Sequence, residues 1–322
     1  MSLSPESLSC QRWSDRSVSW RHVSEGGFDS RQYTVEPIAE AAARAFTLQH
    51  HYSGSYPAAR LAYGLTTSVE TPDAIEIDGR QLVGVAVLSV PMSASVLTNV
   101  FPGLEPFAQS LELGRFVLAD DVPANAESWF LGQVWRRAAE SGVRGVVSFA
   151  DPMPRSREVL AVDDDGEPRI VREQITPGHV GVIYQATNAM ALGRSTARTL
   201  TYVPRAGLVI SDRTLQKVRA RERGADGAER HLVELGARPR AEHADPRMWL
   251  RDALDEVGAV KLRHPGNFRY AWALGGKAER RRVQLAMERT GYPKADAHRM
   301  PDEHGGALRR ATDPERSPRE LA

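Results

Sequence analysis

The sequence has one cysteine, Cys10, and it stands in a polar N-terminal stretch. A single cysteine excludes a disulfide within the chain, a zinc ribbon and a cysteine-ligated cluster. Long apolar runs are also missing. No stretch approaches the roughly 18 consecutive apolar residues that span a bilayer, and the N-terminus lacks the apolar segment of a signal peptide. We therefore expect a soluble, cytoplasmic protein with no membrane partner.

The whole chain has little excess of either charge, with a formal net charge of +1 at pH 7, but the two signs are unevenly distributed. Residues 1–193 contain 15 basic and 23 acidic side chains, whereas residues 194–300 contain 23 and 13. A basic half of this kind can face a polyanion such as nucleic acid. The alternative is an arginine-rich surface that is only solvated.

The length of 322 residues, with 41% hydrophobic residues, suits one large domain or one domain with an appendage. Residues 1–30 lack hydrophobic periodicity and predict a flexible arm, and the polar residues 295–322 predict a disordered tail. Between them we expect a catalytic domain over residues 31–205 and a basic helical and aromatic extension over residues 206–294. Residues 152–178, with four prolines, predict an inserted loop.

Hydrophobic patterns predict an antiparallel meander followed by a βαβ unit, which is an α+β fold with a mixed sheet. Asp78 and Gly79 form an Asp-Gly pair that predicts a hairpin turn. Gly142 ends the helix of the βαβ unit, whose crossover should be right-handed. The elements of this core, in order, are a strand over 33–38, a helix over 39–52, strands over 60–67 and 81–90, a central strand over 111–120, a helix over 127–142 and a strand over 143–151.

After the βαβ unit the pattern is less regular. A short helical turn that contains Tyr184 runs towards Gly193, and residues 196–204 predict a strand. Further helices are predicted over residues 215–224 and 248–258.

Two residues at the ends of predicted elements are candidates for acid–base chemistry. Asp151 follows a buried strand, where ligand clefts open in α/β sheets, so it can act as a general base or bind a metal. The alternative is that Asp151 caps the next turn. His51 follows His50 at the end of the first long helix and is a second candidate base. Its alternative role is a favourable charge at a helix C-terminus.

Arg115 stands inside an otherwise apolar strand, and a buried guanidinium needs a partner. Either it binds an anionic ligand or it forms a structural pair with Glu112 or Asp120. Asn125 and Ser128 stand at the start of the helix that follows. A helix N-terminus can bind an anion, although both residues are also common helix caps.

The basic second half contains the candidate DNA contacts. Basic side chains neutralise phosphates, and aromatic rings can stack an extruded base. The aromatic strand 268–273 carries Phe268, Tyr270 and Trp272, which can equally be core residues. The arginines that we expect to contact DNA are Arg219, Arg221 and Arg223 on the predicted helix 215–224, and Arg280, Arg281 and Arg282 after the aromatic strand.

Five segments resemble, in order and approximate spacing, the signature blocks of the Mom-like DNA-modification proteins of bacteriophages. A later stretch, HPGNFRYAWALGGKAERRR (264–282), resembles the basic, aromatic C-terminal block of that family. The five segments are HHYSGSYP (50–57), LELGRFVL (111–118), NAESWFLG (125–132), VVSFADP (146–152) and GHVGVIYQATN (178–188).

The resemblance implies an acetyltransferase (GNAT)-like fold and an enzyme that alters the exocyclic amino group of adenine in DNA, with a carbamoylmethyl-type adduct that protects DNA from restriction. It implies an acyl-CoA donor held by Arg115, Asn125 and Ser128, and Tyr184 as the general acid. The glycine-rich coenzyme loop usual in this fold, Arg/Gln-x-x-Gly-x-Gly/Ala, is missing.

The expected partners are double-stranded DNA and acyl-CoA in the host-cell cytoplasm, with a homodimer left open. His51, Asp151 and Tyr184 also form a nitrogen and oxygen ligand set that suits iron better than zinc. Two other functions stay open. One is an N-acetyltransferase that acts on a small molecule or a protein, and the other is a DNA-binding accessory protein without enzymatic activity.

Overall fold

The chain is described by a computed structural model over residues 9–14, 17–22, 28–70, 74–123, 125–162, 167–176, 178–294 and 309–310. It divides into two compact units that alternate along the sequence. The first unit comprises Met1–Pro152, Thr176–Ser195 and Asn267–Ala297, and the second comprises Met153–Ile175, Thr196–Gly266 and His298–Ala322. The sequence predicted continuous domains, so this alternation is a difference from the expected organisation.

The elements have the following bounds. The strands are β1 (Ser9–Ser14), β2 (Ser17–His22), β3 (Tyr33–Pro37), β4 (Ala59–Thr67), β5 (Ile75–Ile77), β6 (Arg80–Ser89), β7 (Ser110–Leu118), β8 (Gly145–Ala150), β9 (Arg155–Val162), β10 (Pro168–Thr176), β11 (Met190–Arg194), β12 (Arg198–Val203), β13 (Leu208–Ile210), β14 (Val260–His264), β15 (Phe268–Ala273) and β16 (Arg309–Arg310). The helices are α1 (Glu40–His50), α2 (Ser95–Thr98), α3 (Ala126–Glu140), α4 (Val182–Ala186), α5 (Asp212–Ala220), α6 (Ala225–Glu234), α7 (Pro246–Glu256) and α8 (Lys277–Arg282).

The first unit is built on a mixed sheet with the strand order β11-β15-β8-β7-β6-β4-β3, and β5 pairs with β6. Strands β3, β4, β6 and β7 are antiparallel neighbours, whereas β7 and β8 are parallel. Asp78 (φ 49°) and Gly79 (φ 76°) both adopt the left-handed conformation that a tight two-residue hairpin requires. The predicted α+β class, meander and βαβ unit are confirmed.

The two parallel strands diverge partway along their length. Their pairing joins only Ser110–Glu112 to Gly145–Val147, although both strands continue beyond it. Past this point the Ser148 hydroxyl donates to the carbonyl oxygen of Leu113 at 3.1 Å, so a side chain takes over from the backbone ladder. The sheet therefore opens between β7 and β8.

A β-bulge at Gly114 sets the direction of the residues that border this opening. Val87 pairs with Arg115 and Leu88 with Leu113, which leaves Gly114 as an extra residue in β7. A Cβ atom on Gly114 would lie 2.3 Å from the Ser89 hydroxyl oxygen, so only glycine fits without a shift.

Helix α3 packs on the sheet because its apolar residues recur at helical spacing. Phe130, Leu131, Val134 and Ala138 are all fully buried in the main core of the first unit. The second unit has its own core, in which α5, α6 and α7 contribute Leu215, Leu232 and Leu250.

Several elements differ from the predictions. Residues 152–178 are more than a loop, because β9 and β10 pair as a two-stranded sheet. The predicted strand 196–204 forms as β12 but pairs with β13 and β14, whereas the aromatic strand β15 pairs with β8 in the main sheet. Periodicity cannot reveal which strands become neighbours, because pairing is a long-range property.

Much of the N-terminal and C-terminal segments lies outside the described residues, including most of 295–322. Within residues 1–30, β1 and β2 pair antiparallel from Ser9–His22 to Ser14–Ser17. None of the helices in the described ranges combines the length and apolar character needed to cross a bilayer.

Candidate active site

Arg115 lies at the opening between β7 and β8 and is held by a loop far away in the sequence. Its Nε donates to the Ser55 carbonyl oxygen at 2.9 Å, and Nη2 donates to the Ser55 hydroxyl at 2.7 Å. A third guanidinium nitrogen donates to the Gly114 carbonyl oxygen of the bulge. These bonds fix the orientation of the guanidinium but do not neutralise its charge.

The predicted ion pair of Arg115 with Glu112 or Asp120 is not formed: among the described side chains, Arg115 makes no ion pair with a carboxylate. Burial lowers the pKa of the Arg115 guanidinium, and Tyr52, Glu112 and Tyr184 partly oppose that shift. Burial raises the pKa of the Glu112 carboxyl, and the charge of Arg115 opposes the rise. A half-buried cation without a bound carboxylate is a favourable place for an anionic ligand group.

Tyr184 is buried, with 8% of its surface exposed, and its ring packs edge-on to Tyr270 and Trp272 at 5.4 Å from each. Ser148, the residue that bridges the diverging strands, partly opposes the effect of burial on the pKa of the Tyr184 hydroxyl. Burial raises the pKa of the Tyr184 phenol, so the group stays protonated and can donate a proton.

His51 follows α1 and is only partly exposed. Burial, with the nearby charges of Arg115 and His179, lowers the pKa of His51 to about 3. Its Nδ1 accepts the backbone N–H of Ser53 at 3.1 Å, so the neutral ring carries its proton on Nε2. His51 is therefore better suited to donate a hydrogen bond than to remove a proton.

Asp151 and His179 lie together just past the end of β8. The backbone N–H of His179 donates to the carbonyl oxygen of Asp151 at 2.7 Å. Burial lowers the pKa of the His179 imidazole, and the negative charge of Asp151 opposes that shift. The His179 ring also faces the edge of Tyr184, with 6.2 Å between ring centroids. A carboxylate in this position, at the end of a strand, can accept a proton from a nucleophile.

These residues form one electrostatically coupled cluster, which we call the splay cluster: Arg115, Glu112, His51, Asp151, His179 and Tyr184. The charge of Arg115 lowers the pKa of both His51 and Tyr184. The charge of His179 also lowers the pKa of His51, and the charge of Asp151 raises the pKa of His179. Four predicted site residues, Arg115, His51, Asp151 and Tyr184, are thus brought together. Because they come from four segments of the chain, only the tertiary fold can assemble them.

Among the described residues, neither Asn125 nor Ser128 is hydrogen-bonded to a member of the splay cluster. Asn125 adopts the left-handed conformation (φ 72°) and makes no capping hydrogen bond through its side chain. The Ser128 hydroxyl donates back to the Asn125 carbonyl oxygen at 3.3 Å. The alternative reading of Asn125 as a side-chain cap is therefore wrong.

The charge around the start of α3 does not favour a pyrophosphate. Asp120, Asp121 and Glu127 stand within the loop and the first turn, and residues 116–135 contain no lysine or arginine. A helix dipole supplies only about half a positive charge, which three carboxylates outweigh. The residues present at this helix start do not fit the pyrophosphate of a coenzyme.

For metals, the described part of the chain contains no group of three or more His, Cys, Asp and Glu side chains that could hold an ion. The structure gives no support to the predicted iron set of His51, Asp151 and Tyr184. Nδ1 of His51 already accepts the backbone N–H of Ser53.

The predicted DNA-contacting arginines of the second unit differ in availability. The sequence predicted Arg221 and Arg223 on a helix over residues 215–224. Helix α5 ends at Ala220, so both arginines lie beyond it. Arg221 is the left-handed C-cap and forms an ion pair with Glu229 at 2.9 Å. Arg219 and Arg223 are exposed.

In the first unit, Arg280, Arg281 and Arg282 are exposed on α8. The aromatic strand before them is mostly core: Phe268 is 8% exposed and Tyr270 fully buried. The hypothesis that these two rings stack an extruded base is therefore wrong, because their faces are covered by the protein.

Three residues of the site were not singled out from the sequence. His179 lies inside a segment that resembles a Mom block, directly before a short apolar run, and this was the available signal. Ser148 and Ser55 gave none, because a serine is common in strands and turns and only its bonds reveal its role.

Residues 32–156 match the model of the Mom protein family. That stretch contains His51, Arg115, Asn125, Ser128 and Asp151, and it confirms the resemblance to Mom proteins there. A comparison with curated proteins found no match.

Three solved structures are similar at low identity. A proposed phosphinothricin N-acetyltransferase is 10% identical, with 44% of this chain and 94% of that chain covered and a TM-score of 0.23. A tandem GNAT protein from the clavulanic acid biosynthesis pathway, without AcCoA, is 9% identical, with 76% and 75% covered and a TM-score of 0.27. The AHL synthase LasI is 13% identical, with 49% and 96% covered and a TM-score of 0.23.

Such loose structural similarity carries no argument about chemistry. The family match supports a DNA-modifying role and is confined to residues 32–156.

Proposed function

We propose that this chain is a phage-encoded transferase that modifies the exocyclic amino group of adenine in DNA and so protects the DNA from restriction. The observation that carries the proposal is the uncompensated Arg115 in the opening of the sheet, surrounded by a proton acceptor and a proton donor. The match to the Mom family over residues 32–156 supplies the substrate class.

The first requirement of the reaction is access to the amine. An adenine inside a duplex cannot present its amino group to a buried cluster, so the base must leave the stack. Cations that hold the phosphates of the distorted strand lower the cost of this step. Arg219, Arg223, Arg280, Arg281 and Arg282 are our proposed contacts, and Arg221 contributes less because Glu229 already neutralises it.

The second requirement is removal of a proton from the amine as it attacks. We assign this role to the Asp151 carboxylate, whose charge acts on the nearby His179 imidazole and whose backbone carbonyl oxygen accepts the His179 backbone N–H. His51, with a pKa of about 3, is a poor base, and because Nδ1 is bonded to Ser53 its Nε2–H is the group that can donate a hydrogen bond.

The third requirement is stabilisation of negative charge on the donor. As the new bond forms between the amine nitrogen and the donor carbon, the bond from that carbon to the leaving atom breaks. Arg115 is fixed by Ser55 and can hold the oxygen on which charge develops. Tyr184, kept neutral by burial, gives a proton to the leaving atom, while the Asp151 carboxylate retains the proton from the amine.

Acyl-CoA is the donor that the family resemblance implies, but the acidic start of α3 does not fit its pyrophosphate. We therefore assign no step to the coenzyme. Simple acyl transfer leaves an amide, so a carbamoylmethyl adduct also needs a further source of nitrogen. Iron and a homodimer remain predictions from the sequence.

The test is nucleoside mass spectrometry of DNA from cells that express the full chain. We expect a modified adenine with the wild type and its loss with Asp151→Asn, whose matched control is the exposed Asp252→Asn. Tyr184→Phe should lower the yield, and Tyr202→Phe in the second unit should not. Unmodified adenine throughout would overturn the proposal and leave the N-acetyltransferase and accessory-protein alternatives.

A further inference from the structure

A cavity of about 1180 Å³ opens in the first unit, outside the splay cluster. Its walls are the C-terminal half of α3, the turn after α4, and the segment from the end of β15 through α8. It is larger than the 300–1,000 Å³ typical of small-molecule pockets.

The lining of this cavity is strongly basic. Arg136, Lys277, Arg280, Arg281 and Arg289 all line it, and none of them forms an ion pair among the described side chains. The sixth cation of the lining, Arg144, is neutralised by Glu279 at 2.8 Å. Glu140 is the other carboxylate there, so five unpaired cations share the cavity with one acid.

One wall of the cavity is aromatic. Trp135 and Trp272 are in contact, with ring centroids 4.9 Å apart and planes inclined by 42°. Trp272 is fixed because its indole N–H donates to the Thr187 carbonyl oxygen at 3.2 Å. The indole N–H of Trp135 is buried and has no hydrogen-bond partner among the described residues, which costs free energy in the unliganded protein.

We propose that this basic cavity binds a DNA strand, with a base packed against Trp135 and flanking phosphates held by the five unpaired cations. This inference rests on the proposed function and gives its DNA a place on the first unit. Aromatic contact combined with unpaired cations is the chemistry that single-stranded nucleic acid requires. The size of the cavity and the spread of cations over α3, α8 and residue 289 favour a strand over a single nucleotide.

The cavity and the splay cluster are joined by a line of rings. Tyr184 contacts Trp272 at 5.4 Å, and Trp272 contacts Trp135. A nucleotide in the cavity therefore lies two ring contacts from the proposed proton donor. We infer that the cavity holds a nucleotide next to the reacting adenine and not the adenine itself.

The experiment measures the binding of a short fluorescein-labelled single-stranded oligonucleotide to the full-length protein by anisotropy at several salt concentrations. Five phosphate contacts predict that log K falls with log[salt] at a slope of about −3.5. The double variant Arg280→Ala/Arg281→Ala should weaken binding at least tenfold and reduce that slope by about 1.4. The control Arg230→Ala/Arg247→Ala removes the same charge from exposed sites of the second unit and should change affinity less than threefold.

A second readout reports the aromatic wall. The oligonucleotide should quench tryptophan fluorescence in the wild type, and Trp135→Phe should remove much of that quenching. The proposal is overturned if the cavity and control variants lose equal affinity for the oligonucleotide. It is also overturned if Trp135→Phe leaves the quenching unchanged, or if a mononucleotide binds as tightly as the oligonucleotide.

The two proposals can fail separately. If the wild type modifies adenine in cells but the cavity variants bind and modify DNA normally, the cavity inference fails and the proposed function stands. If the oligonucleotide binds as expected while nucleoside analysis finds no modified adenine, the cavity is a DNA site and the proposed reaction is wrong.

Discussion

Arg115 is anchored to Ser55, 60 positions earlier in the sequence, by two hydrogen bonds of 2.9 and 2.7 Å. The anchor uses a carbonyl and a hydroxyl oxygen, so the positive charge stays available to a ligand. A cation that served only the fold would be expected to sit against a carboxylate, because burial of a lone charge costs free energy.

Arg115→Met should therefore separate stability from function. We expect adenine modification to fall about 100-fold or more, since a fixed donor to developing negative charge is lost. The free energy of unfolding should stay the same or rise, because the substitution removes a half-buried cation. Urea unfolding and nucleoside analysis of the same variant check this, and Ser55→Ala should show a smaller loss of modification. A strongly destabilised Arg115→Met with intact modification would contradict the assigned role.

Gly114→Ala should destabilise the protein by about 1–3 kcal/mol, because the new Cβ meets the Ser89 hydroxyl at 2.3 Å and strains the bulge. The bulge also aims Arg115, so modification should fall with stability. Gly132→Ala is the matched control: a Cβ there meets nothing within 4 Å, and alanine favours a helix interior by about 1 kcal/mol. Thermal unfolding of both variants gives the comparison, and equal effects would argue against a strained bulge.

The low pKa of His51 predicts that the fold weakens in acid. The unfolded chain binds a proton on this ring near its ordinary pKa of 6.5, whereas the folded protein binds it only near pH 3. The unfolded state therefore holds more protons between these values, and stability is full above pH 6.5 and lost as the pH falls towards 3. The slope is at most about 1.4 kcal/mol per pH unit for this residue.

Urea unfolding across that pH range measures the effect. His51→Gln should flatten the pH dependence, and the exposed His231→Gln should leave it unchanged. Burial lowers the pKa of His179 too, so a residual slope of the same sign should persist in His51→Gln.

The acidic residues before α3 give a test of the donor. If a coenzyme pyrophosphate binds at this helix start, Asp120→Asn/Asp121→Asn should tighten coenzyme A binding roughly fivefold, from about 1 kcal/mol of removed repulsion. Glu70→Gln/Glu76→Gln removes the same charge from an exposed region and serves as the control. Because carboxylates surround this helix start, we expect the wild type to bind coenzyme A weakly in calorimetry. Tight binding of coenzyme A by the wild type would contradict this expectation.

Much of the first unit could be predicted from the sequence because its signals are local. The apolar spacing from Trp129 to Ala138 favours a helix on a sheet, and Asp78-Gly79 favours a tight hairpin. Long-range pairing could not be predicted in this way. The residues of the aromatic strand 268–273 do not indicate that it pairs with β8, which lies 118 or more positions earlier along the chain.

Periodicity, turn residues and the Mom-like blocks act over short stretches, so the α+β class, the βαβ unit and the chemical types at the site could be read without any coordinates. Three features emerge only from the folded chain: Arg115 binds Ser55 and no described carboxylate, the His179 backbone N–H bonds to Asp151, and Phe268 and Tyr270 are core residues. These outcomes depend on which distant segments become neighbours, and burial and charge pairing follow from that neighbourhood.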